Sequence, residues 1–179
     1  MKKNVLVYGI ISGICVASFM AASIAYCYNK NSFDGSMLLG YAAMILSFSL
    51  IFVGVKNYRD KFNGGIISFG KAFLMAIYMA LIASTLYVIG WMIAYYNFFP
   101  DFIDKLAAYQ LSPAKTSEMS PAQVAAIREQ MDMFRQWYSS WPGVAGATYM
   151  EILPVGLLVA LFTALVLKRK SAKSLSQGA

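Results

Sequence analysis

Val5–Tyr26 reads VLVYGIISGICVASFMAASIAY, and no charged residue interrupts it. A helix needs about 20 residues to cross a hydrocarbon core about 30 Å thick. This stretch is long enough, with Lys2 and Lys3 before it and Lys30 just after. Outward from it come three more runs, Met37–Val55, Ala72–Phe99 and Ile152–Leu167. The third exceeds the thickness it must cross and is expected to tilt or project. The fourth is short, and Gly146–Glu151 lengthen it by a turn at its beginning. The predicted fold is an all-α membrane protein with four transmembrane helices, over about 5–27, 37–55, 70–98 and 149–167. An extracytoplasmic helical hairpin over 100–148 separates the third from the fourth, and a basic cytoplasmic tail occupies 168–179.

Composition points the same way. Only 13% of residues are charged against 59% hydrophobic, where a soluble domain carries about a quarter charged. A soluble surface needs that charge, and a lipid-facing one excludes it. The first run is also too long for a secretory signal, whose apolar centre is about 7–15 residues, so it reads as a retained span.

Basic residues set the expected orientation. With both termini in the cytoplasm, the inner segments hold Lys2, Lys3, Lys56, Arg59, Lys61, Lys71, Lys168, Arg169, Lys170 and Lys173 against Asp60 alone. The outer segments hold Lys30, Lys105, Lys115, Arg128 and Arg135 against seven acids. The net charge of +7 is thus a topology signal. Its cations are split among membrane-edge segments, which argues against nucleic acid as a partner.

Within the outer segment, Ser120-Pro121-Ala122-Gln123 has the form of a helix start. Serine caps, proline suits the first position, and glutamine three residues on closes a capping box. Val124, Ile127, Met131, Phe134 and Tyr138 follow at spacings of three and four, which predicts one apolar face. Arg128, Asp132 and Arg135 lie opposite, spaced to pair along the helix. Pro142-Gly143 is expected to end this helix. Pro100–Gln110 predicts a shorter one, with Asp101 and Asp104 near its positive end. Aromatic residues from Tyr95 to Phe99 and from Trp137 to Trp141 suit a membrane interface.

Close packing of small residues drives helix contact in lipid. Gly9, Gly13, Ala17, Ala21 and Ala25 form such a stripe on the first span. Ala72, Ala76, Ala80 and Ser84 form another on the third, and Gly156, Ala160 and Ala164 one on the fourth. The partner of the first stripe is left open: another span of this chain, a second copy, or a different membrane protein.

Catalytic constellations are scarce. The chain has no histidine and two cysteines. Cys15 and Cys27 on one helix are about 18 Å apart, beyond the roughly 7 Å a disulfide spans. Nucleophile–base pairs, intramembrane aspartate pairs and metal ligand sets are missing from the spans. The expectation is a non-enzymatic protein without cofactors. Ser47, Ser49, Ser84, Thr85 and Thr163 are expected to bond to their own helices' carbonyls. Glu151 is placed at the interface, in the first turn of the fourth helix, where the dipole favours it.

The inner loop Lys56–Lys71 is the most distinctive stretch. Gly64-Gly65 permits a tight turn, and Ser68 is placed to cap the third span. Arg59, Lys61, Ser68 and Lys71 read either as a positive-inside anchor with a turn or as a contact for an anionic lipid headgroup or a partner protein.

Five pieces in order carry a resemblance: Met1-Lys2-Lys3-Asn4-Val5-Leu6, Tyr58-Arg59-Asp60-Lys61, Ile67-Ser68-Phe69-Gly70-Lys71-Ala72, Glu151-Ile152-Leu153-Pro154-Val155-Gly156-Leu157 and Leu167-Lys168-Arg169-Lys170. Nearly the whole chain resembles the small bacterial membrane proteins grouped as domain of unknown function 4199. The resemblance implies four spans in a bacterial inner membrane and assigns no activity, cofactor or catalytic residue. The function expected is that of an association or accessory component in the bilayer. The alternative is a homo-oligomeric transporter or pore.

Overall fold

The computed structural model describes residues 1–33 and 36–169. Asp34, Lys170, Lys173 and the rest of the tail beyond Arg169 lie outside them. The described residues form α1 (Lys2–Lys30), α2 (Ser36–Asn57), α3 (Phe69–Phe98), α4 (Phe102–Gln110), α5 (Pro113–Thr116), α6 (Pro121–Tyr138) and α7 (Trp141–Leu167). A π-helical turn, Tyr58–Phe62, continues α2. Four helical segments, α1, α2 with this turn, α3 and α7, are long and apolar enough to cross a membrane.

These four pack as a bundle whose neighbours do not follow chain order. α3 lies between α1 and α7, while α2 closes the ring on the other side of the same two helices. Consecutive α2 and α3 therefore sit across the bundle from each other. The buried face of α3 is narrow at its seams, with Ala72, Ala76, Ala80, Ala83 and Ser84 fully buried, and broad where Met75 and Met79 fill the centre.

Small residues let these backbones approach. A Cβ on Gly13 would stand 2.7 Å from Leu86 Cδ1 and 3.0 Å from the Ala83 Cα, so only glycine fits there. Gly9 meets Ile82, and Ala17 faces Gly90. The α1 stripe thus lies against α3 over its first three members. Ala21 is exposed and Ala25 half-buried. On α7, Gly156 sits against Ala80 and Phe48.

The α1–α2 seam is polar by comparison. Asn4 Nδ2 donates to the Gly54 carbonyl at 3.3 Å, Asn57 Nδ2 to the Tyr8 hydroxyl at 2.6 Å, and Ser12 Oγ to the Ser47 carbonyl at 2.8 Å. Side-chain bonds between packed spans contribute about 0.6 kcal/mol each on average. The expected bonds to own-helix carbonyls form at Ser49 (Leu46, 2.6 Å) and Thr85 (Leu81, 2.8 Å). Ser84 and Thr163 depart from that expectation: both hydroxyls are buried without a partner.

α6 begins as its sequence dictates. Ser120 Oγ accepts from the Gln123 N–H at 3.3 Å, and Gln123 Oε1 accepts from the Ser120 N–H at 2.8 Å. Met131 is its buried residue, with Val124, Ile127, Phe134 and Tyr138 half-buried along the same face. Arg135 takes Asp132 at 3.1 Å and reaches across to Asp104 of α4 at 2.9 Å. Asp132 is thereby engaged by Arg135 and not by Arg128.

The hairpin docks on the bundle through aromatic rings. Phe102 packs edge-on against Trp91 of α3, 5.1 Å between centroids, and against Phe33 after α1, 5.7 Å. Trp91 Nε1 donates to the Tyr138 hydroxyl at 3.2 Å. Burial pushes the Tyr138 phenol upward, and the Trp91 bond offsets part of the rise.

The fourth span starts earlier than its hydropathy suggests. Ser140 Oγ accepts from the Gly143 N–H at 3.3 Å, and Pro142 occupies the first turn of α7. Pro142-Gly143 thus opens the next helix instead of only closing α6. A proline N–H is not needed at a helix start, and a Cβ on Gly143 would collide with the Trp137 carbonyl. One consequence is a correction: Glu151 lies ten residues into α7, about 15 Å along its axis, and not in its first turn.

Candidate functional site

The pieces of sequence singled out above converge on one end of the bundle. Gly64 and Gly65 both have positive φ, 62° and 76°, which reverses the chain after the π-helical turn. The Gly65 N–H donates to the Arg59 carbonyl at 2.9 Å and the Ile66 N–H to Asn63 at 3.3 Å. The Asn63 amide donates to the Ile66 carbonyl. Ser68 caps α3, accepting from the Lys71 N–H at 3.4 Å.

This loop is then fastened to the end of α7. Ile67 and Arg169 exchange both backbone bonds, at 3.2 and 2.8 Å, as an isolated antiparallel bridge. Arg59 Nη1 donates to the Leu167 carbonyl at 3.4 Å. That places a cation at the negative end of α7, where it also meets a carbonyl without a helical partner.

The cations of the loop divide into two groups. Arg59 is 12% exposed at its side chain and pairs with Asp60 at 2.6 Å. Lys71 Nζ donates to Asn63 Oδ1 at 2.9 Å and stands 5.0 Å from the centroid of the Tyr58 ring. These two have partners inside the loop. Lys61 is exposed, as are Lys56, Lys168 and Arg169 beside it and Ser68 at the cap. Among the described residues Lys56, Lys61, Lys168 and Arg169 make no ion pair. Tyr8 and Asn57, joined at 2.6 Å, tie the start of α1 to the same end.

Sequence reasoning selected Arg59, Lys61, Ser68 and Lys71 and missed the groups that arrange them. Asn63 serves as the hub, accepting from Lys71 and donating to Ile66, and an asparagine before Gly-Gly in the loop was its only local signal. The Ile67–Arg169 bridge joins positions a hundred residues apart and leaves no local pattern.

The opposite end holds a second polar cluster. The Tyr28 hydroxyl donates to Asp101, and Lys105 Nζ lies 3.5 Å from the Tyr28 ring centroid and 3.5 Å from Asp101 Oδ2. The Tyr28 bond, with help from Lys105, holds the Asp101 carboxyl below the usual carboxylate range. The same Tyr28 contact, with Asp101 beside it, raises Lys105. This cluster fastens α4 to the end of α1.

Residues 7–169 match the family model described as protein of unknown function (DUF4199). The chain belongs to this family. The match runs from the second turn of α1 to the Arg169 bridge, so it takes in all four spans, the hairpin and the fastened loop. No curated protein and no solved structure matches the chain.

Proposed function

We propose that the protein is a non-enzymatic membrane component that works by association, seated in a bacterial inner membrane with both termini cytoplasmic. Its basic end is the docking surface, and the ligand it suits is an anionic phospholipid headgroup. The observation that carries this reading is the division of labour among the cations. Arg59 and Lys71 are held by Asp60, the Leu167 carbonyl and Asn63, which fixes the loop. Lys61, Lys168 and Arg169 stand exposed around it. A fixed loop presenting cations at the membrane edge attracts anionic lipid, with about 1 kcal/mol from each. Both termini on the basic side follow from the positive-inside bias.

The experiment is retention of anionic phospholipid by the purified protein, measured by native mass spectrometry after detergent exchange. Lys61→Gln with Lys168→Gln is expected to remove retained lipid while the fold persists. Arg59→Gln with Lys71→Gln is expected to remove it by loosening the loop, with increased protease cleavage at Gly64-Gly65. Unchanged retention in both variants overturns the reading.

A homo-oligomeric transporter or pore is the second reading. Its support is limited to the Ser84 and Thr163 hydroxyls, buried without partners inside the bundle. Conductance by the pure protein in a planar bilayer, lost on Ser84→Ala with Thr163→Val, would move weight to it.

A further inference from the structure

Glu151 is the one carboxylate among the described residues that lies within the long apolar part of a span, and it is exposed on the flank of α7. Sixteen residues separate it from Leu167, about 24 Å of helix rise. With Lys168 at one hydrocarbon boundary and a core about 30 Å thick, the Glu151 backbone falls about 5 Å inside the other. Two residues before it, the Tyr149 hydroxyl meets Thr85 Oγ1 of α3 at 2.8 Å. Among the described residues Glu151 makes no ion pair and no hydrogen bond, although the Tyr87 and Tyr138 phenols stand close enough to feel its charge.

A second acceptor stands beside it. Pro154 lies inside α7 and has no N–H to give the Met150 carbonyl, the ordinary helix partner of residue 154. Met150, Glu151 and Pro154 are all exposed, Met150 at 69%. This flank therefore carries two adjacent acceptors, one of them ionisable, and continues as an apolar strip through Leu158 and Phe162, 67% and 62% exposed. Carboxylates in spans as a rule face a bundle interior or a partner. Here the chain brings the Tyr87 and Tyr138 phenols near but supplies no cation and no hydrogen bond.

We propose that this flank of α7 docks a transmembrane helix of another protein that carries a lysine or arginine in the same third of the bilayer. The cation's several N–H groups would satisfy the Glu151 carboxylate and the Met150 carbonyl together, while its apolar residues cover Leu158 and Phe162. A second copy of this chain is a poor occupant. Its spans hold no lysine or arginine at that depth, so a two-fold contact would oppose acceptors to acceptors. The inference deepens the association reading by naming a partner's chemistry, but it rests on a different face from the basic end.

The test uses full-length protein in phosphatidylcholine vesicles, a lipid without net charge, so that anionic-lipid docking at the basic end plays no part. The probe is a fluorescent leucine–alanine transmembrane peptide carrying one lysine a third of the way along, compared with the same peptide carrying glutamine. Energy transfer reads association. The lysine peptide is expected to associate roughly fivefold more strongly than the glutamine peptide. Glu151→Gln is expected to erase that preference while leaving the glutamine peptide's association unchanged, which also shows that the variant is folded. Equal association of the two peptides, or a lysine preference that survives Glu151→Gln, overturns the proposal. Glu151-dependent transfer between labelled copies of the protein itself would overturn it in favour of self-association.

Discussion

The α1–α3 seam and the hairpin are held by opposite means. At the seam there is almost nothing to see in side chains: Gly9, Gly13 and Ala17 lie on Ile82, Ala83, Leu86 and Gly90, and the contact is close because the residues are small. In the hairpin the contact is made by bulk, with Phe33, Trp91, Phe102, Tyr95 and Tyr138 meeting as rings 5–6 Å apart. The difference follows from the solvent. Lipid does not reward burying leucine, so helices gain by fitting backbone to backbone. Outside the hydrocarbon, apolar burial stabilises again, and large rings contribute the most. One chain uses both rules, and along α3 the change from small residues to rings comes at Trp91.

This contrast can be broken at the seam first. Gly13→Leu has no room against Leu86 and the Ala83 backbone and should destabilise the bundle by about 3 kcal/mol, the upper part of the range for overpacking. Thermal unfolding in mild detergent reads the loss. Gly146→Leu is the control, because a Cβ there meets nothing within 4 Å, and its midpoint should stay put.

Phe102→Ala attacks the hairpin instead. It removes the ring shared by Phe33 and Trp91 and should cost about 2 kcal/mol of docking, less than for a fully buried phenylalanine. Limited proteolysis should cut 100–138 faster while the four spans remain resistant. Equal destabilisation of spans and hairpin would mean that the two regions do not follow separate rules.

Ser120→Ala removes the capping box of α6 and should lower hairpin stability by about 1 kcal/mol, read by amide exchange over 121–126. The smallest effect belongs to acid. Asp101 is held below its ordinary value by Tyr28, so its contribution is present above the unfolded value near 3.9 and is lost as pH falls through the lower folded one. Hairpin proteolysis should be flat from pH 8 to pH 5 and rise only below about pH 4. Tyr28→Phe should shrink that acid-dependent rise, because the folded Asp101 carboxyl then lies closer to its unfolded value, while hairpin proteolysis becomes faster at neutral pH.

The spans were legible because length and absence of charge are local properties, and α1, α2 and α3 extend only a few residues beyond the runs that announced them. The α6 face was legible too, since Val124, Ile127, Met131, Phe134 and Tyr138 keep helical spacing. The start of α7 was not. Hydropathy weakens through Trp141–Thr148, and the cap at Ser140 became visible only once α6 was seen to end at Tyr138. That misplacement put Glu151 in the first turn of the helix, when it lies about 15 Å past the helix start.

At the basic end, sequence chose the cations by sign and position, and the structure sorted them by partner. Arg59 faces Leu167 and Asp60, Lys71 faces Asn63, and Lys61 faces solvent. Sign is written in one residue, but partnership is written in two, often far apart in the chain.

The sequence by itself determined four apolar helices, the capped amphipathic helix between the last two, the concentration of most cations in one set of segments, and membership in the DUF4199 family. These rest on transfer free energy and local backbone chemistry, which each segment carries alone. Only the tertiary structure decided that α3 lies between α1 and α7, that the first stripe is met by α3, and that Ile67 bridges Arg169. Those outcomes depend on which surfaces meet, and in lipid that choice turns on side-chain shape summed over whole helices.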